Sequence, residues 1–268
     1  MEDLLSGVAR TCIIPLVARA VETESGSPRL RDPDAVRIVN ELGVTRKAFR
    51  VHPGTIEGSV RRTLWFDGQV SNFMASHRGA SVVNLGAGLD ARFDRLDDGR
   101  VQWFDVDLPD CVNLRRRFFQ DGPRRQMIGM DMFSPELFDR LGLSSPSLFI
   151  MEGLVMYLPV EKLRAFFQRA AEVSGGEALF DVVSPFFAAR SSRLVREVGR
   201  SKAAMEWGVR SASELPELFP SIQVLKTQEY GKLTVAQSGL LPALVFSIPF
   251  FQKLFFSFMV HARLVQQA

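Results

Sequence analysis

Apolar positions keep two rhythms that alternate through the middle of this chain. Short runs rich in β-branched and aromatic residues, at Ser81–Gly86, Trp103–Asp107, Gln126–Met130, Leu148–Met151 and Glu177–Val183, are too brief for helices and predict buried parallel strands. Between them apolar residues recur at helical spacing, most clearly over Val160–Val173 ahead of Gly175-Gly176. Strands alternating with helices predict an α/β fold, a Rossmann-like, mostly parallel sheet flanked by helices. Residues 1–75 keep only the helical rhythm, along Leu4–Val21, Ala35–Leu42 and Val60–Met74, with Asp32-Pro33 as a helix start. They precede the first strand and are expected to cap its carboxyl end. Residues 184–220 predict a helical insertion, Ser221–Lys226 a sixth strand, and 221–268 the final strands with an apolar tail. No repeat or low-complexity linker interrupts the chain, so a single domain over 1–268 is expected, with its ligand-binding core at 80–183.

The first strand breaks into Gly86-Ala87-Gly88-Leu89-Asp90-Ala91-Arg92, where two glycines let the backbone turn with no Cβ in the way. The spacing satisfies the G-x-G-x-x-G/A pattern of nucleotide-binding loops. Asp105 and Asp107 follow Gly86 by 19 and 21 residues, the distance at which a carboxylate accepts the ribose hydroxyls of an adenosine ligand. Asp107 is the expected contact, with Asp105 next in line. Asp90 lies inside the loop, where a carboxylate repels a pyrophosphate and suits an ammonium or sulfonium. S-adenosylmethionine carries both cations and no phosphate, so it is preferred over NAD as the cofactor. An NAD-dependent oxidoreductase remains the competing enzyme, and a catalytically silent accessory that binds S-adenosylmethionine the competing reading from another class.

Composition narrows the field further. With 46% hydrophobic residues and 24% charged, the 268-residue chain is globular, and a formal charge of +3 is too small to argue for nucleic acid. Cys12 and Cys111 lack any C-x-x-C or histidine neighbour, and His52, His77 and His261 are scattered, so no metal site is expected. Reduced cysteines and a start at Met1-Glu2-Asp3 without a secretory pattern predict a cytoplasmic protein. Gly239–Val260 is strongly apolar, but Pro242, Pro249, Gln252 and Lys253 break it. A last strand plus an apolar segment at the substrate pocket or a subunit interface is expected there, rather than a membrane span. Arg115-Arg116-Arg117 with Phe118-Phe119 reads as an amphipathic surface helix without chemistry. Arg190, Arg193, Arg196, Arg200 and Lys202 read as a solvated basic face.

Three stretches in order, Leu85–Arg92, Asp105–Pro109 and Met151–Leu158, together with Arg19-Ala20, Arg31–Ala35 and Arg62-Thr63, carry a resemblance. From about Thr11 to about Asp181 the chain resembles the leucine carboxyl methyltransferase family, in particular its bacterial polyketide carboxyl O-methyltransferase branch. The resemblance implies that S-adenosylmethionine is bound and S-adenosylhomocysteine released. It implies that Arg19 and Arg62 meet the cofactor's carboxylate, and that Gly86, Gly88, Asp90 and Asp107 form its loop side. It further places Asp131 and Met132 beside the adenine, Glu152 near the amino acid moiety and Tyr157 near the acceptor. Asp131 or Ser134 also has a local alternative, as the cap of the helix containing Pro135, Glu136 and Phe138. The expected acceptor is a small-molecule acid, or else a hydroxyl compound; homo-oligomerisation is left open.

Overall fold

The computed structural model describes residues 12–44, 53–143, 146–190, 204–229 and 257–266. Seven strands, β1 (Ser81–Leu85), β2 (Gln102–Asp107), β3 (Arg125–Gly129), β4 (Ser147–Met151), β5 (Glu177–Val183), β6 (Ile222–Glu229) and β7 (Ser257–Leu264), form one sheet in the order β3-β2-β1-β4-β5-β7-β6. The first five run parallel, and β7 enters antiparallel between β5 and β6. β1 and β4 are buried along their whole length, as continuous apolar runs in a covered parallel sheet should be.

Helices cover both faces. On one, α6 (Leu137–Leu141), α7 (Val160–Val173) and α8 (Leu215–Leu218) meet the sheet through Phe138, Phe166, Phe167 and Phe219. The buried residues of α7, Leu163, Phe166, Phe167, Ala170 and Ala171, repeat at the three-and-four spacing of one helical stripe. On the other face lie α3 (Pro53–Ser76) and α4 (Arg92–Leu96), packed on Val82, Trp103 and Leu148. The cap consists of α1 (Ile13–Thr23) and α2 (Pro33–Glu41), whose apolar cluster joins Leu89 and Ala91 of the glycine loop and reaches α5 (Pro109–Arg115). Asp32 starts α2 as expected, its side chain accepting from the Ala35 amide at 2.9 Å.

Two local expectations need correction. α5 is not a surface helix with three wet arginines: Arg116 and Arg117 are exposed, but Arg115 is wholly buried. Neither Asp131 nor Ser134 caps α6, which begins at Leu137 without a side-chain cap; Asp131 instead accepts from the Phe133 amide at 2.9 Å in a tight turn.

In the region expected as a helical insertion, residues 185–190 are helical and 204–209 have no regular structure; Arg193, Arg196, Arg200 and Lys202 lie outside the described residues. So does the apolar stretch at 239–256, whereas 257–264 form β7. No described helix is long and apolar enough to cross a membrane. No described cluster of His, Cys, Asp or Glu could hold a metal ion.

The strand order reverses between β1 and β4. In such sheets ligands bind at the carboxyl ends of the strands flanking that point.

Candidate active site

A cavity of about 970 Å³ opens there. Its wall takes in every residue singled out from the sequence as a site residue: Arg19, Arg62, Gly86, Gly88, Asp90, Asp107, Asp131, Met132, Glu152 and Tyr157. Asp105 is absent from it, so the two acids of β2 are separated by position alone.

The turn after β1 requires glycine. Gly86 and Gly88 have φ of 65° and 49°, and a Cβ on Gly88 would stand 2.9 Å from the Cβ of Cys12 on the cap. The loop's amides are turned inward. Gly86 and Ala87 donate to the Val106 carbonyl at 2.8 and 3.2 Å, Asp90 to the Ala87 carbonyl at 3.0 Å, and Gly88 to Asp107 Oδ2 at 2.8 Å. These four amides already have partners within the protein.

Behind the loop stands a sealed ion cluster. Asp105, 1% exposed, accepts from Arg115 at 2.8 Å, Arg125 at 3.0 Å, Trp103 Nε1 at 3.0 Å and Asn84 at 3.2 Å. Arg115 also donates to the carbonyls of Gly88 and Asp90, at 3.0 and 2.7 Å. Sequence reasoning passed over this arginine because its two neighbours are identical and exposed.

In front of the loop a chain of ion pairs runs along the wall. Arg19 pairs with Asp32 at 2.8 Å and donates to the Leu89 carbonyl at 3.0 Å. Arg95 bridges Asp32, Asp67 and Asp90 at 2.8, 2.9 and 3.1 Å. Arg92 meets Asp67, Asp90 and Glu152, and Arg62 joins Glu152 at 2.9 Å to Asp181 at 3.2 Å. Glu152 therefore has both a place on the cavity wall and arginine partners, the two roles that its residue type allowed. Burial works against the ionised forms of Asp90 and Glu152, yet Arg92 with Arg95 and Arg62 respectively holds each carboxyl below its ordinary range.

Other wall groups shift the opposite way. Burial pushes the Asp107 carboxyl up against the pull of the Gly88 and Leu108 amides. The thiols of Cys12 and Cys111, which form no disulfide, are pushed up to about 12 by burial and by the nearby charge of Asp107. Burial also raises Tyr157.

Tyr157 ends a short 3₁₀ turn at Val155–Tyr157. Residues 204–209 hold that turn in place: the Glu206 amide donates to the Met156 carbonyl at 2.8 Å, and Trp207 Nε1 donates to the carbonyls of Val155 and Leu158 at 3.1 and 2.9 Å. Met156, Tyr157, Phe187 and Met205 make this end of the cavity apolar, and Glu206 also lines it. Nothing in the local sequence around Glu206 pointed to a site; only the fold brings it there.

Residues 12–171 match the family model described as leucine carboxyl methyltransferase. The tetracenomycin polyketide synthesis O-methyltransferase TcmP of Streptomyces glaucescens is 29% identical over 223 residues, covering 82% of each chain. A putative S-adenosyl-L-methionine-dependent methyltransferase of Mycolicibacterium smegmatis is 30% identical over 202 residues, covering 64% of this chain and 65% of that one. Among solved structures, a putative methyltransferase from Thermobifida fusca YX shares the fold with a TM-score of 0.57, covering 97% of this chain and 95% of that chain at 16% identity. The match covers more than half of the sequence and the whole parallel half of the site up to β4, and the chain belongs to the leucine carboxyl methyltransferase family of S-adenosylmethionine-dependent methyltransferases.

Proposed function

We propose that this chain transfers a methyl group from S-adenosylmethionine to an oxygen of a small-molecule acid, such as a polyketide-type acid, giving a methyl ester. The observation that carries this reading is the polarity of the glycine loop, whose amides of Gly86, Ala87, Gly88 and Asp90 point inward while carboxylates face the cavity. A pyrophosphate needs free amides and few acids, so this loop speaks against NAD. The residues present fit S-adenosylmethionine: a Gly88 that leaves room, and acids where the ligand has hydroxyls and cations. In this reading Asp107 accepts from the ribose, Asp131 from the adenine amine with Met132 against its ring, and Glu152 and Asp90 face the ammonium and sulfonium. Arg19 and Arg62 meet the carboxylate of the cofactor.

The bound cofactor supplies an electrophilic methyl group. The protein's part is to hold an acceptor oxygen in line with it. A carboxylate acceptor is ionised near neutral pH and needs no base. The wall agrees: Cys12, Cys111 and Tyr157 hold their protons more tightly than usual, and no histidine lines the cavity among the described residues. A protonated Tyr157 can donate to the acceptor carboxylate and position it.

Glu206 favours a second reading, a hydroxyl acceptor deprotonated by that carboxylate. Labelled S-adenosylmethionine incubated with aromatic and polyketide acids, their amides and matched phenols separates the two. Ester formed on acids alone is expected; phenol methylation abolished by Glu206→Gln selects the second. Calorimetry that detects NADH but not S-adenosylhomocysteine overturns both, and S-adenosylhomocysteine binding with no product on any acceptor identifies a silent accessory.

A further inference from the structure

Arg92 is an unusual wall residue. It lines the cavity, yet is only 1% exposed, because its guanidinium is spent on three acids from three elements. Nε meets Asp67 of α3 at 2.7 Å, Nη1 lies 2.8 Å from Asp90 of the glycine loop, and Nη2 meets Glu152 at the end of β4 at 2.5 Å. The Nη1 contact is ionic without the alignment of a hydrogen bond. The guanidinium carbon lies 5.7 Å from the centroid of the Phe66 ring.

Asp90 and Glu152 face one cavity as like charges, and two carboxylates sharing a site do not both stay ionised without a cation between them. Arg92 is that cation. The other charged groups around the pair are Arg62 and Asp67 of α3, Arg95 of α4, Asp181 of β5, Arg19 of α1 and Arg115 of α5. Arg62 is shared with Asp181, Arg95 with Asp32 and Asp67, and Arg19 with Asp32. Among the described residues Arg92 is the one side chain paired with both Asp90 and Glu152.

We propose that Arg92 is a positioning residue of the methyl-transfer site, holding Asp90 and Glu152 ionised and fixed toward the cationic part of the cofactor. This rests on the reading of the cavity as an S-adenosylmethionine site. Removing the guanidinium leaves the two acids to share a proton, so cofactor binding acquires an acid limb that the native protein lacks.

The test is calorimetric titration of S-adenosylmethionine from about pH 8 to about pH 6, where isolated carboxylates do not titrate. The native protein sets the baseline at each pH, because the cofactor's own amino group, ordinarily titrating at about 7.7–8.0, changes charge within this window, and each variant is read relative to it. Arg92→Met should lose about tenfold or more between those limits, a shift of one pKa unit being about tenfold. Arg92→Lys keeps the charge but cannot reach three acids, and should lose about threefold over the same range. A merely structural role predicts lower melting temperatures with an affinity that keeps a constant ratio to the native protein's across this window; that result in either variant overturns the proposal. If Arg92→Met does not fold, Arg92→Lys decides alone. No binding to the native protein at any pH would instead overturn the underlying cofactor assignment.

Discussion

Two regions on either side of the glycine loop treat the same residue type in opposite ways. Asp105 and Asp107 lie on the same face of β2, one strand repeat apart, a step of about 7 Å along the strand. Asp105 pairs in register with Asn84 inside the sheet, is shared by two arginines and does not itself line the cavity. Asp107 ends the strand, binds the Gly88 and Leu108 amides at 2.8 Å and faces the cavity. Depth along the strand, not residue type, divides the acid that holds the loop up from the acid that meets whatever enters. The region behind the loop should therefore respond to mutation in stability, and the region in front in affinity.

The largest effect expected from this division is at Asp105. Asp105→Ala leaves Arg115 and Arg125 buried beside the loop without their shared carboxylate, and breaking such a buried pair costs about 3–5 kcal/mol. Urea unfolding would show it as a lowered midpoint with an unchanged slope. A variant as stable as the native protein would mean that the sealed cluster does not brace the loop.

Gly88→Val strikes the front. The added side chain is strained at a φ of 49° and meets Cys12, so S-adenosylmethionine affinity should fall by about a hundredfold or more, or about 2.7 kcal/mol. Native-like circular dichroism beside normal binding would refute the loop's role. Asp107→Ala should weaken binding by about 1.5–3 kcal/mol, as for a lost charged acceptor. Its stability should change by less than about 1 kcal/mol, because burial already disfavours the ionised carboxyl, which offsets the acceptor that the Gly88 amide loses. Unchanged affinity would move the ribose contact away from Asp107.

How much of this was legible in the sequence follows from how local each feature is. Strands β1 to β5 could be placed because each is a compact apolar run, and the loop because its glycines, Asp90 and Arg92 are contiguous. The match of Asp107 and Glu152 to the cavity wall was legible because Asp107 ends β2 and Glu152 directly follows β4. Arg115 was not: nothing in three successive arginines says which one turns inward, and only its packing under Gly88 and Asp90 decides it. Glu206 was hidden for another reason, since it reaches the wall through a backbone bond to Met156, fifty residues earlier in the chain. The start of α6 was misjudged because Asp131 satisfied the nearer Phe133 amide instead of a helix terminus.

The smallest expected effect concerns Cys12 and Cys111, which share the front wall with Asp107. Their thiols are raised from 9.0 to about 12, so the folded state binds these protons more tightly than the unfolded chain. The stability this contributes is complete below about pH 9 and is lost as pH rises toward about 12, giving a gradual decline in urea midpoint on the alkaline side. At about pH 8 a thiol reagent should modify the native protein more slowly than the urea-unfolded chain, by about thirtyfold or more, because only the thiolate attacks and its scarcity outweighs the greater nucleophilicity of a more basic thiolate. Arg92 and its neighbours pull protons off Asp90 and Glu152 on the same wall, so the front of the loop is itself divided into a half of ion-paired carboxylates and a half whose thiols keep their protons. Equal native and unfolded rates would mean that the thiols are not sealed under the cap, and the distinction between the two halves would fail at its weaker end first.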